Sequence, residues 1–241
     1  LQNLLDNRIK EINFRSFATQ AIMSVFTFHQ HAKCYHHDTH YNNFLFNDLG
    51  EECYIEYHIF GKTYKSQVSK FMFILWDYGL SMSIENDNMM INDYHPFKGI
   101  LRIIDDYLRI FMILLTVSNP PEPVQEKNKY IHHMKDKYDV YILYQIYSVF
   151  TKYNKDMRDT LKTLPDRVAR VNYILKKEKE MLQELINSDL IFDKHVKGQK
   201  YNSKPYNVES NVSFNISNQS NERQFPDNIN SPDSVFFPHI H

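Results

Sequence analysis

The twelve residues from Tyr35 to Phe46, YHHDTHYNNFLF, constrain this chain more than any other stretch. They place Asp38, His40 and Asn43 in one short loop and run that loop into Phe44-Leu45-Phe46, an apolar triplet that can form a buried strand. A carboxylate and an amide held five positions apart can serve a hydroxyl nucleophile and a magnesium ion, provided a second carboxylate arrives from elsewhere. Asp77 answers that need, because the strongly apolar run Phe71-Met72-Phe73-Ile74-Leu75-Trp76 stops at Asp77-Tyr78-Gly79. A run apolar on both faces reads as a strand packed on both sides. An acid at its end stands at the mouth of a core, where a metal can offset the cost of partial burial.

The surrounding text supplies supports for that pair. Phe14, Phe17, Ala18, Ala21, Ile22, Val25 and Phe26 follow the spacing of a buried helix stripe leading into the loop. Between Asn47 and Lys70, Cys53, Ile55, Tyr57 and Ile59 alternate between turns at Asn47-Asp48-Leu49-Gly50 and Gly61-Lys62, as in a hairpin. A second apolar helix is expected over 100–117, carrying Asp105 and Asp106, and Ser118-Asn119-Pro120-Pro121-Glu122-Pro123 stops it. Further helices are expected over 138–153 and from Pro165-Asp166 onward. In the last one Val168, Val171, Leu175, Leu182 and Leu185 form the inner face, while Lys176, Lys177, Glu178, Lys179 and Glu180 read as a solvated face. Residues 1–195 thus read as one domain. From 196 to 241 Asn, Ser and Pro dominate, and this tail is expected to lack order, with Phe236-Phe237-Pro238 as one docking element.

Composition narrows the function classes. A net charge of -1 gives no global pull toward nucleic acid or anionic membrane. No apolar run approaches the roughly 20 residues needed to cross a bilayer. Cys34 and Cys53 are the only cysteines, and an intracellular setting is the simplest expectation. The chain starts at Leu1 and enters a helical pattern almost at once, so an upstream part is expected.

The motifs together resemble the catalytic half of a kinase. His36-His37-Asp38-Thr39-His40-Tyr41-Asn42-Asn43 is similar to the H-x-D-x-[KH]-x-x-N catalytic loop, and Asp77-Tyr78-Gly79 is similar to D-F-G. The wording most similar to this chain is that of the serine/threonine protein kinases of large nucleocytoplasmic DNA viruses. Those carry H-x-D-T-H-x-x-N-F-L-[YF], an inserted hairpin with [YF]-G-K-x-Y, then I-x-W-D-[FY]-G-L and D-Y-x-R-I. The corresponding text is Asp38 to Phe46, Phe60-Gly61-Lys62-Thr63-Tyr64, Ile74 to Leu80, and Asp106-Tyr107-Leu108-Arg109-Ile110.

That resemblance, which runs from about Phe14 to Leu115, implies an α+β, mainly helical, protein-kinase-like C-terminal lobe with a β-hairpin inserted between the loop and Asp77-Tyr78-Gly79. It implies ATP and Mg²⁺ as cofactors, a protein substrate, and a host-cytoplasmic or virion location. Asp38 would orient the acceptor hydroxyl, His40 would donate to the γ-phosphate, and Asn43 and Asp77 would hold Mg²⁺. His36 and Asp106 would support the loop, Asp106 accepting its backbone N–H groups in preference to Asp105. His37 stands where many regulated kinases carry Arg, which implies constitutive activity. Residues 80–97 take the place of an activation segment, with Tyr94-His95-Pro96-Phe97 in place of A-P-E. No G-x-G-x-x-G and no clamping Lys and Glu are found, so an N-terminal lobe is expected upstream, without which this part alone would be inactive. The rival readings are a kinase-like scaffold without activity and a small-molecule kinase of the aminoglycoside or choline type. His29, His31, Cys34, His36, His37 and His40 also invite a zinc reading, but their spacing matches no usual pattern. His29 and His31 read instead as surface or helix-end residues.

Overall fold

The computed structural model describes residues 7–8, 11–68, 70–86, 90–91, 99–111, 137–201 and 205–208. Among them the chain is a mixed α+β fold of four helices and small sheets. The first helix, α1 (Phe14–Ala32), starts where the Asn13 side chain accepts the Ser16 N–H at 2.8 Å. It ends at Lys33, whose left-handed backbone returns its N–H to the His29 carbonyl. The expected stripe is buried, and so are Ser16, Thr19, Gln20 and Gln30 on the other sides. A helix buried over most of its surface must satisfy its buried polar groups internally. Ser16 Oγ donates to the Gln67 carbonyl, Thr19 Oγ1 donates to the Ile191 carbonyl, and Gln20 bonds the backbone of both Phe71 and Phe73.

Beside α1 lies an antiparallel pair, β2 (Phe44–Asp48) and β5 (Phe71–Leu75), in register from Phe44 opposite Leu75 to Asp48 opposite Phe71. Phe17 meets the rings of Phe44 and Phe73 edge-on at 5.6 and 4.9 Å, which locks the helix to the strand pair. Between these strands the chain forms a hairpin, β3 (Cys53–Ile59) and β4 (Lys62–Val68). Its alternating residues Cys53, Ile55, Tyr57 and Ile59 are buried. The reversal falls on Phe60 and Gly61, both with positive φ, one residue earlier than the turn expected at Gly61-Lys62. Two positive φ values match the right-handed twist of the flanking strands. A short pair, β1 (Cys34–Tyr35) with β6 (Met82–Ser83), joins the end of α1 to the segment after Asp77.

The remaining helices are α2 (Arg102–Phe111), α3 (Lys137–Leu161) and α4 (Arg167–Asn187), the last capped by Asp166 at the Ala169 N–H. Tyr107 of α2 stacks on Phe150 of α3 at 5.0 Å. No helix among the described residues is long and apolar enough to cross a membrane.

Several expectations change. The tail does not leave the fold at 196: β7 (Gln199–Lys200) and β8 (Tyr206–Asn207) pair in parallel with β3, and Val208 is buried. Backbone pairing along an unpaired edge of β3 orders a segment whose side chains are too polar to order it alone. Trp76, read as part of a buried strand, lies past the end of β5 and is exposed, as is Leu45. Glu178, read as a surface residue, is fully buried, and so is His29, read as a surface or helix-end residue, which lies in the last turn of α1. Residues 112–117, the proline-rich stop, Tyr94-His95-Pro96-Phe97 and Phe236-Phe237-Pro238 lie outside the described residues.

Candidate functional site

The site grows from the exit of α1. After β1, the backbone N–H groups of His36 and His37 both point at one carboxylate, donating to Asp106 Oδ2 and Oδ1 at 2.6 and 2.8 Å. Thr39 Oγ1 donates to the Asp106 carbonyl at 2.5 Å. The carboxylate beneath the loop is therefore Asp106. Its neighbour Asp105 turns instead to Arg109, whose Nε donates to Asp105 Oδ2 at 2.9 Å. His37 sits at φ 66, a left-handed conformation uncommon for a residue with a side chain. Such strain persists only where the surroundings impose it.

His36 ties the loop to the end of β5. Its Nε2–H donates to the Trp76 carbonyl at 3.0 Å, and its Nδ1 accepts the Asp38 N–H at 3.3 Å. One ring nitrogen donating and the other accepting define a neutral imidazole in a single tautomer. Burial reinforces that state by holding the His36 pKa below its ordinary value.

Three groups converge on Asp38. Asn43 Nδ2 donates to its Oδ2 at 2.8 Å and to its backbone carbonyl at the same distance. His40 Nε2 lies 3.2 Å from Oδ1, because its Nδ1 already accepts the Asn42 N–H. Arg109 approaches Oδ1 at 3.8 Å from α2. The carboxylate thus has its direction set from three sides, and being half-buried it can still reach an incoming hydroxyl. Arg109 stands in the D-Y-x-R-I text, but nothing in its spacing tied it to Asp38.

Asp77 joins through the backbone. Trp76 N–H donates to the Asn43 carbonyl at 2.8 Å, extending the β2–β5 ladder by one bond, and Asp77 is the next residue. Asp77 is exposed, takes a left-handed backbone at φ 60, and accepts the Gly79 N–H at 3.3 Å. The following Tyr78 stacks on Phe28 at 5.1 Å and donates to the Leu75 carbonyl, which pins the turn.

Asn43 spends its Nδ2 on Asp38, leaving its amide oxygen, and Asp77 adds a carboxylate. Two oxygen donors suit Mg²⁺, which usually takes one or two protein ligands and completes its shell with water and substrate phosphate. Among the described residues no group of three or more His, Cys, Asp or Glu side chains converges as a metal set. The histidine-rich stretch is divided otherwise: His36 faces Trp76, His40 faces Asp38, and His29 is drawn inward. Burial pushes the Cys34 thiol up to about 11.

Beneath Asp106 lies a feature that was not read from the sequence. His29 of α1 sits between two carboxylates, with Nε2 at 2.9 Å from Asp106 Oδ2 and Nδ1 at 2.5 Å from Glu178 Oε1. Burial opposes a charge on this ring, but Glu178 and Asp106 outweigh it and raise its pKa to about 9. Asp106, though equally buried, is held below the usual carboxylate range by His29 and by the loop amides. Set against protein-family models, curated proteins and solved structures, the chain matches none of them.

Proposed function

We propose that these residues form the phosphoryl-transfer centre of an ATP-dependent serine/threonine protein kinase of the large-DNA-virus type, with the C-terminal-lobe architecture that the motifs resemble. The observation that carries the reading is that Asp38 and Asn43 are joined by a side-chain hydrogen bond, and that the Asn43 carbonyl accepts the Trp76 N–H one residue before Asp77, at one end of the β2–β5 pair. Phosphoryl transfer asks a protein mainly for positioning and charge compensation. Asp38, directed from three sides, orients the acceptor hydroxyl and takes its proton on a carboxylate oxygen. Asn43 and Asp77 are the oxygen donors that would hold Mg²⁺, and the ion would neutralise charge on the ATP phosphates. His40 and Arg109 supply nitrogen donors beside Asp38. Exposed Leu45, paired across the strands with Ile74, offers apolar surface beside these groups for a nucleobase. On this reading the β3–β4 hairpin is the insertion between the two motifs.

Transfer of label from γ-labelled ATP by the full-length protein tests the substrate class. Label on casein or histone, with none on a panel of small alcohols, is the expected result. Label on the alcohols alone would favour the small-molecule kinase. No transfer to either, with the fold intact, would favour the scaffold, for which the sheet built on the hairpin by β7 and β8 is the surface to probe.

A further inference from the structure

Glu178 belongs to α4 and lies 149 positions after His29, yet both side chains are fully buried and in direct contact. We propose that Glu178 is a positioning residue: it holds the His29 ring, through it the Asp106 carboxylate, and so fixes the His36–His37 backbone that carries Asp38. The catalytic part of this inference rests on the phosphotransfer reading above, whereas the structural part does not.

Both ring nitrogens of His29 face carboxylate oxygens, so both donate and the ring is charged. The triad thus sets one imidazole between two carboxylates inside the protein. A buried ionic cluster adds little stability over an apolar core of the same shape, so stability alone is a weak reason for its presence. Its remaining lone pairs are matched by specific donors. Glu178 Oε2 accepts from Gln30 Nε2 at 2.7 Å and Oε1 from the Tyr107 hydroxyl at 2.6 Å. Among the described residues, the Asp106 carboxylate is matched by His29 and the two loop amides. Lys33, with its pKa lowered by burial, couples to Glu178, and Tyr107, Tyr35 and His36 are further titratable groups beside the triad.

The chain of contacts runs in one direction, from α4 through α1 to α2 and then to the loop. It ends on His37, which sits at a left-handed φ of 66 with its N–H on Asp106 Oδ1. When Gln replaces Glu178, His29 loses one of two carboxylate anchors, the Asp106 carboxylate can rotate, and the loop can relax away from the geometry that aims Asp38.

Glu178→Gln in the full-length protein tests this. Hydrogen exchange at the His36 and His37 amides should accelerate about tenfold or more while α4 amides exchange as before. The His29 titration midpoint, followed by imidazole NMR, should fall by about one pH unit or more once a single carboxylate remains. Turnover should drop about tenfold or more with KM for ATP unchanged, since no nucleotide contact is altered. Glu178→Asp, which keeps the charge on a shorter arm, should show the same exchange change in smaller measure, and it stands in should the amide variant not fold. Unchanged exchange at His36 and His37, in whichever variant folds, would overturn the proposal. A wild-type protein without any transfer activity would end the phosphotransfer reading, and the exchange result would still decide the role of Glu178.

Discussion

At the scale of single residues, buried charge is arranged around one histidine, His29, between Asp106 and Glu178. The folded pKa of His29 is raised to about 9 from an ordinary value of 6.5. Its contribution to stability is therefore complete below about pH 6.5, shrinks as the unfolded ring gives up its proton first, and is gone above about pH 9. Asp106 has the opposite sign: its depressed pKa contributes stability above the ordinary carboxylate value of 3.8, which is lost as pH falls through the folded value. Melting temperature should hold between about pH 5 and 6.5 and decline toward pH 9, and His29→Gln should flatten the alkaline limb. An alkaline limb unaltered by that substitution would contradict the assignment. The sequence carried a trace of both buried partners. His29 is the next position on the stripe Phe14, Phe17, Ala18, Ala21, Ile22, Val25, Phe26, and Glu178 fills the gap between Leu175 and Leu182 on the inner face of α4. The charged neighbours at 176, 177, 179 and 180 hid the second, because a Lys and Glu run has the same composition whether or not one member turns inward. Asp38 with Asn43 was legible because their bond is local, and Arg109 was not, because helix packing alone brings it there.

At the scale of elements, the strongly patterned segments form the elements their patterns suggest. The stripe from Phe14 becomes α1, the two apolar runs become β2 and β5, and the alternation from Cys53 becomes a hairpin strand. What the patterns could not convey is centrality: α1 is buried over most of its surface because the segment at 189–193 and the strands both close over its polar side. Arg15 donates to the Asp189 and Phe192 carbonyls, and Thr19 donates to that of Ile191. Nor could they convey that the polar stretch after 196 adds strands to β3, since parallel backbone pairing leaves little mark on side-chain composition. Gly198 is the residue that permits it. Its φ is +77, and a Cβ there would lie 1.9 Å from the Glu52 carbonyl oxygen. Gly198→Ala should cost about 1–3 kcal/mol and release the β7 and β8 segment. Exchange at Tyr201 N–H, which donates to the Tyr54 carbonyl, should accelerate, while the loop amides bound to Asp106 stay protected. Equal protection of Tyr201 in both proteins would show that this close approach does not hold the segment in place.

At the scale of the whole molecule, four stretches far apart in the chain meet beneath one loop. The end of α1, the end of β5, α2 and α4 each bring one contact that the loop needs: a His29 bridge, the Trp76 carbonyl, the Asp106 carboxylate and the Glu178 anchor. The convergence has a physical cause. Phe17 against Phe44 and Phe73 fixes α1 on the strands, and Tyr107 against Phe150 fixes α2 on α3, so the polar groups at the ends of these elements have one place to go. The proposed phosphotransfer function depends on Asp38 and Asp77 serving one reaction from two motifs. The most direct measurement is Mg²⁺-dependent phosphoryl transfer from ATP by the full-length wild-type protein, Asp38→Ala and Asp77→Ala, with circular dichroism to confirm folding. The account predicts transfer by the wild-type protein and a loss of about 10²–10⁴-fold in each folded variant. Transfer that survives either substitution at the wild-type rate would contradict it.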